Sequence, residues 1–251
     1  MKRILLAVGE TFTSVQVARQ VRPWLRERGT SLALLAVVPS ESPVPSSPFK
    51  RTLEQVKAIF AGDENQPDLM VRACAVPATA ICIEVREGGY DLLALGLRGE
   101  HRSASAVGET YQAVLHACPV SLFVVPPDAP VRLTPQILVI VTRERPVLAL
   151  ADWLVEQCLA QRLNVVFCAS SAQDAKPADA LFRGAGVRTQ IVVRPGLFPE
   201  DISLLERERR VRWIAAPGEA IGDVASPFRF GEELLTRARC PVFLVREDGS
   251  N

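Results

Sequence analysis

Runs of apolar residues alternate with amphipathic stretches from one end of the chain to the other. In the first half the runs are RILLAV (3–8), SLALLAVV (31–38), LMVRACA (69–75), YDLLALG (90–96) and PVSLFVVP (119–126). They are almost continuously hydrophobic rather than alternating, the pattern of parallel strands buried on both faces. The clearest amphipathic stretch is TSVQVARQVRPWLRERG (13–29). There Val15, Ala18, Val21 or Arg22, and Leu25 recur at helical spacing, which predicts a helix capped by Thr13 or Ser14. Pro23 is expected to bend or break it.

The second half repeats this order. QILVIVT (136–142), LNVVFCAS (163–170), VRTQIVV (187–193), VRWIAAPG (211–218) and RCPVFLVRE (239–247) echo the five earlier runs in turn. The Cys-Pro-Val triplets at 118–120 and 240–242 lie 122 residues apart, as do Gly96 and Gly218, whereas the first strands are 133 apart. The second copy is therefore 11 residues shorter ahead of its glycine loop. The missing piece fits the Pro/Ser-rich segment PSESPVPSSP (39–48), which reads as an exposed loop. An internal duplication follows, with domains at 1–127 and 133–251 joined by PPDAPVRLTP. Each domain is expected to be an α/β, doubly wound unit with a five-stranded parallel sheet and right-handed crossovers. Ligands in such sheets sit at the carboxyl ends of strands, where strand order reverses.

Composition narrows the function. The chain is 48% hydrophobic and 23% charged, with 29 basic and 28 acidic residues, a net charge of +1. That balance argues against broad electrostatic capture of nucleic acid or membrane, though a local basic patch is compatible with it. No apolar run is long enough to span a bilayer and no export signal is apparent, so a cytoplasmic protein is expected. The six cysteines form no C-x-x-C pair and read as reduced core residues. With two histidines in the chain, no metal site is expected.

A first strand reading ILLAV, a late strand ending in Gly96-Leu97-Arg98-Gly99, a further Gly108 ahead of a helix and then a CPV strand together resemble the universal stress protein family, in two tandem copies. The resemblance implies the strand order 3-2-1-4-5. It also implies pairing through the fifth strands, so that the two halves form a pseudo-twofold intramolecular dimer. Rapid hydrogen exchange at 119–125 and 241–245 would count against that pairing. Nucleotide-binding members of the family carry G-x-x-G, nine residues, then Gly with Ser or Thr, and an Asp after the first strand that contacts adenosine. By resemblance, ATP or another adenine nucleotide would contact Ala7, Val8, Gly96, Arg98, Gly99, Gly108 and Thr110.

The sequence departs from that pattern. Eight residues separate Gly99 from Gly108, Glu109 replaces the hydroxyl residue, and Gly9 stands in the place of the acid. In the second copy Gly218-Glu219-Ala220-Ile221-Gly222 has one residue too many, and Gly231 is followed by Glu232. A carboxylate at a helix N-terminus can satisfy the free amides itself and repel a phosphate. Arg98, His101 and Arg102 make only the first loop basic, so a nucleotide, if bound, belongs in the first half.

Catalytic patterns such as G-x-S-x-G, H-E-x-x-H and the Walker loop are absent from the sequence. His116 reads as a helix-end residue, Trp24, Trp153 and Trp213 as core, and ERERR (206–210) as a solvated helix end. The expectation is a non-catalytic stress-response protein acting through protein contacts or self-association by its fifth strands, with a weakened nucleotide site. No nucleic-acid partner and no membrane insertion are expected. The alternative is an adenine-nucleotide sensor, and slow nucleotide hydrolysis is a third reading.

Overall fold

Each apolar run becomes a parallel strand, and most lie within two or three residues of the expected bounds. The computed structural model describes residues 2–26, 29–41, 46–63, 66–97, 108–127, 129–131, 134–142, 151–218 and 229–246. The chain divides into two units, Met1–Ala129 and Pro130–Asn251.

In unit 1 the strands are β1 (Lys2–Val8), β2 (Thr30–Val38), β3 (Asp68–Ala73), β4 (Leu92–Gly96) and β5 (Ser121–Val125). Their order is β3-β2-β1-β4-β5, all parallel. Ile4 of the central strand pairs with Leu32 on one side and Leu92 on the other. Leu5, Leu6, Leu34 and Leu93 are wholly buried, so the unbroken apolar runs are explained by helices on both faces. Those helices are α1 (Phe12–Val21), α2 (Ser47–Phe60), α3 (Pro77–Gly88) and α4 (Glu109–Ala117).

Unit 2 has β6 (Gln136–Val141), β7 (Asn164–Ala169), β8 (Thr189–Val193), β9 (Ile214–Pro217) and β10 (Val242–Val245). Its helices are α5 (Ala151–Ala160), α6 (Ala172–Gly184), α7 (Pro199–Arg209) and α8 (Arg229–Arg237). The strand order, β8-β7-β6-β9-β10, is again 3-2-1-4-5 and again parallel. The duplication is thus one of fold as well as of sequence.

Three local expectations change. Thr13 and Ser14 do not cap α1; the cap is Thr11. Ser14 is buried, and its hydroxyl accepts the Gly9 N–H at 2.9 Å and donates to the Gly9 carbonyl at 3.3 Å, closing the turn out of β1. The Pro/Ser segment does not stay a loop to residue 48. Ser46 caps α2 by accepting the Phe49 N–H at 3.2 Å, and Pro48 sits in the first turn, where its missing N–H is harmless. Gly231 does not precede α8 but lies inside its first turn. Pro23 behaves as expected: α1 stops at Val21 and a 3-10 segment, Arg22–Arg26, follows.

The tryptophans are core residues. Trp24 meets Phe123 edge-on at 4.7 Å, and Trp153 and Trp213 pack on Phe243. All six cysteines are free thiols, five of them buried. Burial pushes Cys158 up to about 12 and Cys168 up to about 11. His116 lies in the last turn of α4. No helix among the described residues is long and apolar enough to cross a membrane.

Candidate functional site

Strand order in unit 1 reverses between β1 and β4, whose neighbours lie on opposite sides. The crossovers leave that point in opposite directions and open a crevice at the carboxyl ends of the strands. A cavity of about 800 Å³ fills it. Its floor is the ends of β1, β2 and β4, including Ala7, Val8, Leu35 and Leu95, with Cys74 just past β3. Phe49 of α2 and Ile81 of α3 supply apolar walls, and the first turn of α4 supplies Gly108, Glu109 and Thr110.

The polar groups gather at the mouth. Glu10 follows β1, and its carboxylate accepts the Ser46 hydroxyl at 2.7 Å. Thr52 of α2 donates to the Glu10 carbonyl at 3.2 Å, so α2 holds this residue by main chain and side chain. Opposite in kind is the start of α4. Gly108 is its N-cap and provides no side-chain cap. The Gly108 carbonyl accepts the N–H groups of Tyr111 (2.8 Å) and Gln112 (3.1 Å), which leaves the amides before Tyr111 without an intrahelical acceptor. Glu109 is exposed, and among the described residues no helix amide donates to its carboxylate. The expected self-capping by Glu109 is therefore not formed: the side chain is free to stand aside.

The glycines differ in what they are for. A Cβ on Gly96 would come 2.6 Å from Thr13 Cγ2 and 3.2 Å from the Thr13 backbone carbon, so Gly96 lets α1 pack directly on the end of β4. A Cβ on Gly108 meets nothing within 4 Å, and one on Gly9 meets Ser14 Oγ at an ordinary 3.9 Å. Gly9 is thus not imposed by packing, since a Cβ there meets only an ordinary contact.

Of the seven residues predicted from the sequence, Ala7, Val8, Gly96, Gly108 and Thr110 line this cavity. Arg98 and Gly99 lie outside the described residues, as do His101, Arg102, Glu219 and Gly222. Sequence reasoning missed Glu10, Ser46 and Phe49. The Ser46-x-Pro48 helix start was the one available signal, because it brings α2 forward to the cavity. Among the described residues no three His, Cys, Asp or Glu side chains stand close enough to hold a metal ion.

In unit 2 the connection from the second strand to the third runs over 170–188, against 39–67 in unit 1. It is shorter ahead of its helix, whose cap, Ser171, follows β7 almost directly where Ser46 stands well beyond β2. The helices of unit 2 also begin with acids: Asp152 in α5, Asp174 in α6, Glu200 and Asp201 in α7, and Glu232 in α8. In unit 1, α1, α2 and α3 have none in the first turn.

A doubly wound parallel sheet with an open crevice at its switch point defines the class of α/β module to which each unit belongs. Residues 1–126 match the family described as the universal stress protein family. This chain belongs to that family, in its tandem two-copy form. Its fold is similar to that of a universal stress protein from Archaeoglobus fulgidus, with a TM-score of 0.74 at 14% identity, over 99% of this chain and 97% of that one. A functionally unknown protein from Pseudomonas aeruginosa gives 0.68 at 13% identity, over 99% and 93%. The cytoplasmic domain of a prokaryotic cation chloride cotransporter gives 0.57 at 12%, over 100% and 97%. Comparison with curated protein sequences finds no match.

Proposed function

We propose that the protein is a non-catalytic stress-response regulator whose first unit binds an adenine nucleotide weakly, and whose second unit does not. The observation that carries this is the cavity of about 800 Å³ at the β1/β4 switch point, ending against the uncapped start of α4. Its apolar walls suit a base, and the amides of α4 suit a phosphate. Arg98, Gly99, Gly108 and Thr110 are the residues we assign to the phosphates, and Ala7 and Val8 to the nucleoside, with Gly96 serving the packing of α1. Glu10, held by Ser46, is the acid nearest to the place that Gly9 leaves without one. Signalling then passes to protein partners through the occupancy of this site.

Thermal shift and calorimetry with ATP, ADP, AMP and cyclic AMP test the reading, because a ligand that binds only the folded state raises the melting temperature by mass action. Glu109→Ser removes a like charge worth about 1 kcal/mol at 4 Å in water, an improvement of roughly fivefold in affinity. Gly9→Asp should add to it. No shift at millimolar nucleotide in the wild type, with none gained by the Glu109→Ser/Gly9→Asp double variant, would sink the proposal.

A further inference from the structure

Unit 2 carries a row of arginines on the amino edge of its sheet. In a parallel sheet every helix-to-strand turn falls on the amino edge, and in unit 2 four of the five strands are led in by arginine. Arg239 precedes β10, Arg210 and Arg212 precede β9, Arg162 precedes β7 and Arg188 precedes β8. Backbone hydrogen bonds align these turns: Ile214 N–H to Pro241 (2.9 Å), Arg212 N–H to Gln136 (2.7 Å), Asn164 N–H to Pro135 (2.6 Å) and Val165 N–H to Arg188 (2.9 Å). The row follows the strand order and extends over four strand spacings, about 19 Å.

Helix dipoles do not account for it. Cations that serve a helix C-terminus lie in its last turn, and those of unit 2 are engaged: Arg183 with Asp179, Arg207 with the Ser203 carbonyl, Arg209 with Gln190 and Arg237 with Glu200. Arg162, Arg188, Arg212 and Arg239 lie beyond the last helical turns, and Arg210 is the residue that closes α7. Among the described residues none of their guanidinium groups has a hydrogen-bond or ion-pair partner. The turns that hold them contain no acid. Glu208 is exposed in the adjoining last turn of α7, while Glu206 is buried and accepts the Arg239 backbone N–H. Partial burial lowers the pKa of Arg212, with no countercharge to offset it. Arg162 and Arg210 moreover adopt left-handed backbone (both φ 52°), where glycine is ordinarily favoured. The charge is kept at two positions that would be more relaxed without it.

We propose that this row binds the sugar-phosphate backbone of nucleic acid, independently of sequence and of the nucleotide cavity in unit 1. Arginine matches phosphate by its planar fork, and a row along a twisted sheet edge matches an anion that repeats along a helical strand. A protein partner or a membrane would need an apolar anchor, but Leu163, Val187, Val211 and Trp213 between the arginines are all buried. The near-neutral total charge conceals the row.

The test is fluorescence anisotropy of the full chain with a labelled single-stranded RNA and with a duplex DNA, both of mixed sequence. Between about 50 and 200 mM salt, five phosphate contacts give a log–log slope near −3.5 for the single strand and near −4.5 for the duplex. Arg162→Gly/Arg210→Gly should weaken binding several-fold, make the single-strand slope shallower by about 1.4, and hold or raise the melting temperature. Arg188→Gln/Arg239→Gln, on exposed side chains, should do the same to binding and to the slope. Binding of either nucleic acid with these changes supports the row. No salt-dependent binding, binding unaltered by both variants, or preferential binding of phosphatidylserine vesicles or polyglutamate would overturn it.

Discussion

The two units share a fold and differ in where they put charge. Unit 1 leaves α1, α2 and α3 without acids in their first turns, and only α4, whose start borders the cavity, carries one, Glu109. Unit 2 starts each of its described helices with an acid, and its unpaired arginines gather on the opposite edge. At the amino edge of unit 1, by contrast, charge is used locally. Asp91 accepts the Arg3 backbone N–H at 2.7 Å, Arg3 lies over Tyr90 and donates to the Gly88 carbonyl, and Asp63 pairs with Arg22 at 3.0 Å. A duplicated sheet can thus keep its core while its two ends exchange electrostatic roles. The core sets the fold, and helix-end residues set what can approach it.

The largest expected effect separates wall from frame. Phe49 is 4% exposed and lines the cavity, so Phe49→Ala should destabilise the chain by about 3–5 kcal/mol in urea melts and abolish nucleotide-dependent stabilisation. Next comes the division of labour among glycines. Gly96→Ala presses on Thr13 and is expected to lose about 1–3 kcal/mol, whereas Gly108→Ala, opening into free space at the α4 N-cap, should lose less than about 1 kcal/mol. Equal losses from the two would break this distinction.

Alkaline pH should act through the buried thiols of unit 2. Cys158 and Cys168 have folded pKa values raised above the usual 9.0. Their stabilising contribution is therefore complete below pH 9 and lost as pH rises toward 11–12, by up to about 1.4 kcal/mol per pH unit for each thiol. Urea midpoints at pH 8 and pH 10 measure it, and Cys158→Ala should flatten the slope. Native alkylation should meanwhile label Cys74, the one cysteine that is not buried, and bound nucleotide should slow it.

The smallest effect concerns a pair of equivalent caps. Ser46 and Ser171 each accept an N–H three residues on, at 3.2 and 3.3 Å. Replacing either by Ala should cost about 1 kcal/mol. Only Ser46→Ala also releases Glu10, and only it should alter nucleotide affinity.

The sequence displays its buried strands plainly, because a strand covered on both faces cannot afford polar positions. It also displays the repeat, through Cys-Pro-Val and the paired glycines. What it hides is held together by distance. Glu10 and Ser46 meet across 36 positions, and nothing local announces it. The Ser14 hydroxyl resembles a helix cap until its bonds to Gly9 are seen. The arginines at 162, 188, 210, 212 and 239 look scattered until parallel register lines them up, and the chain's net charge of +1 hides them again. Glu109 shows how a correct electrostatic rule can still need geometry. The carboxylate is at the helix start as expected, but it is exposed, and no described helix amide donates to it.

The acid-first helices of unit 2 have a consequence for motion before contact. Each peptide macrodipole places about half a positive charge at the helix start, and one or two full carboxylates there reverse its sign. With cations at the other end, the unit carries a permanent electric moment along its strands. A charged partner arriving within a screening length of about 8 Å exerts a torque on it, so the molecule turns to present one edge ahead of collision.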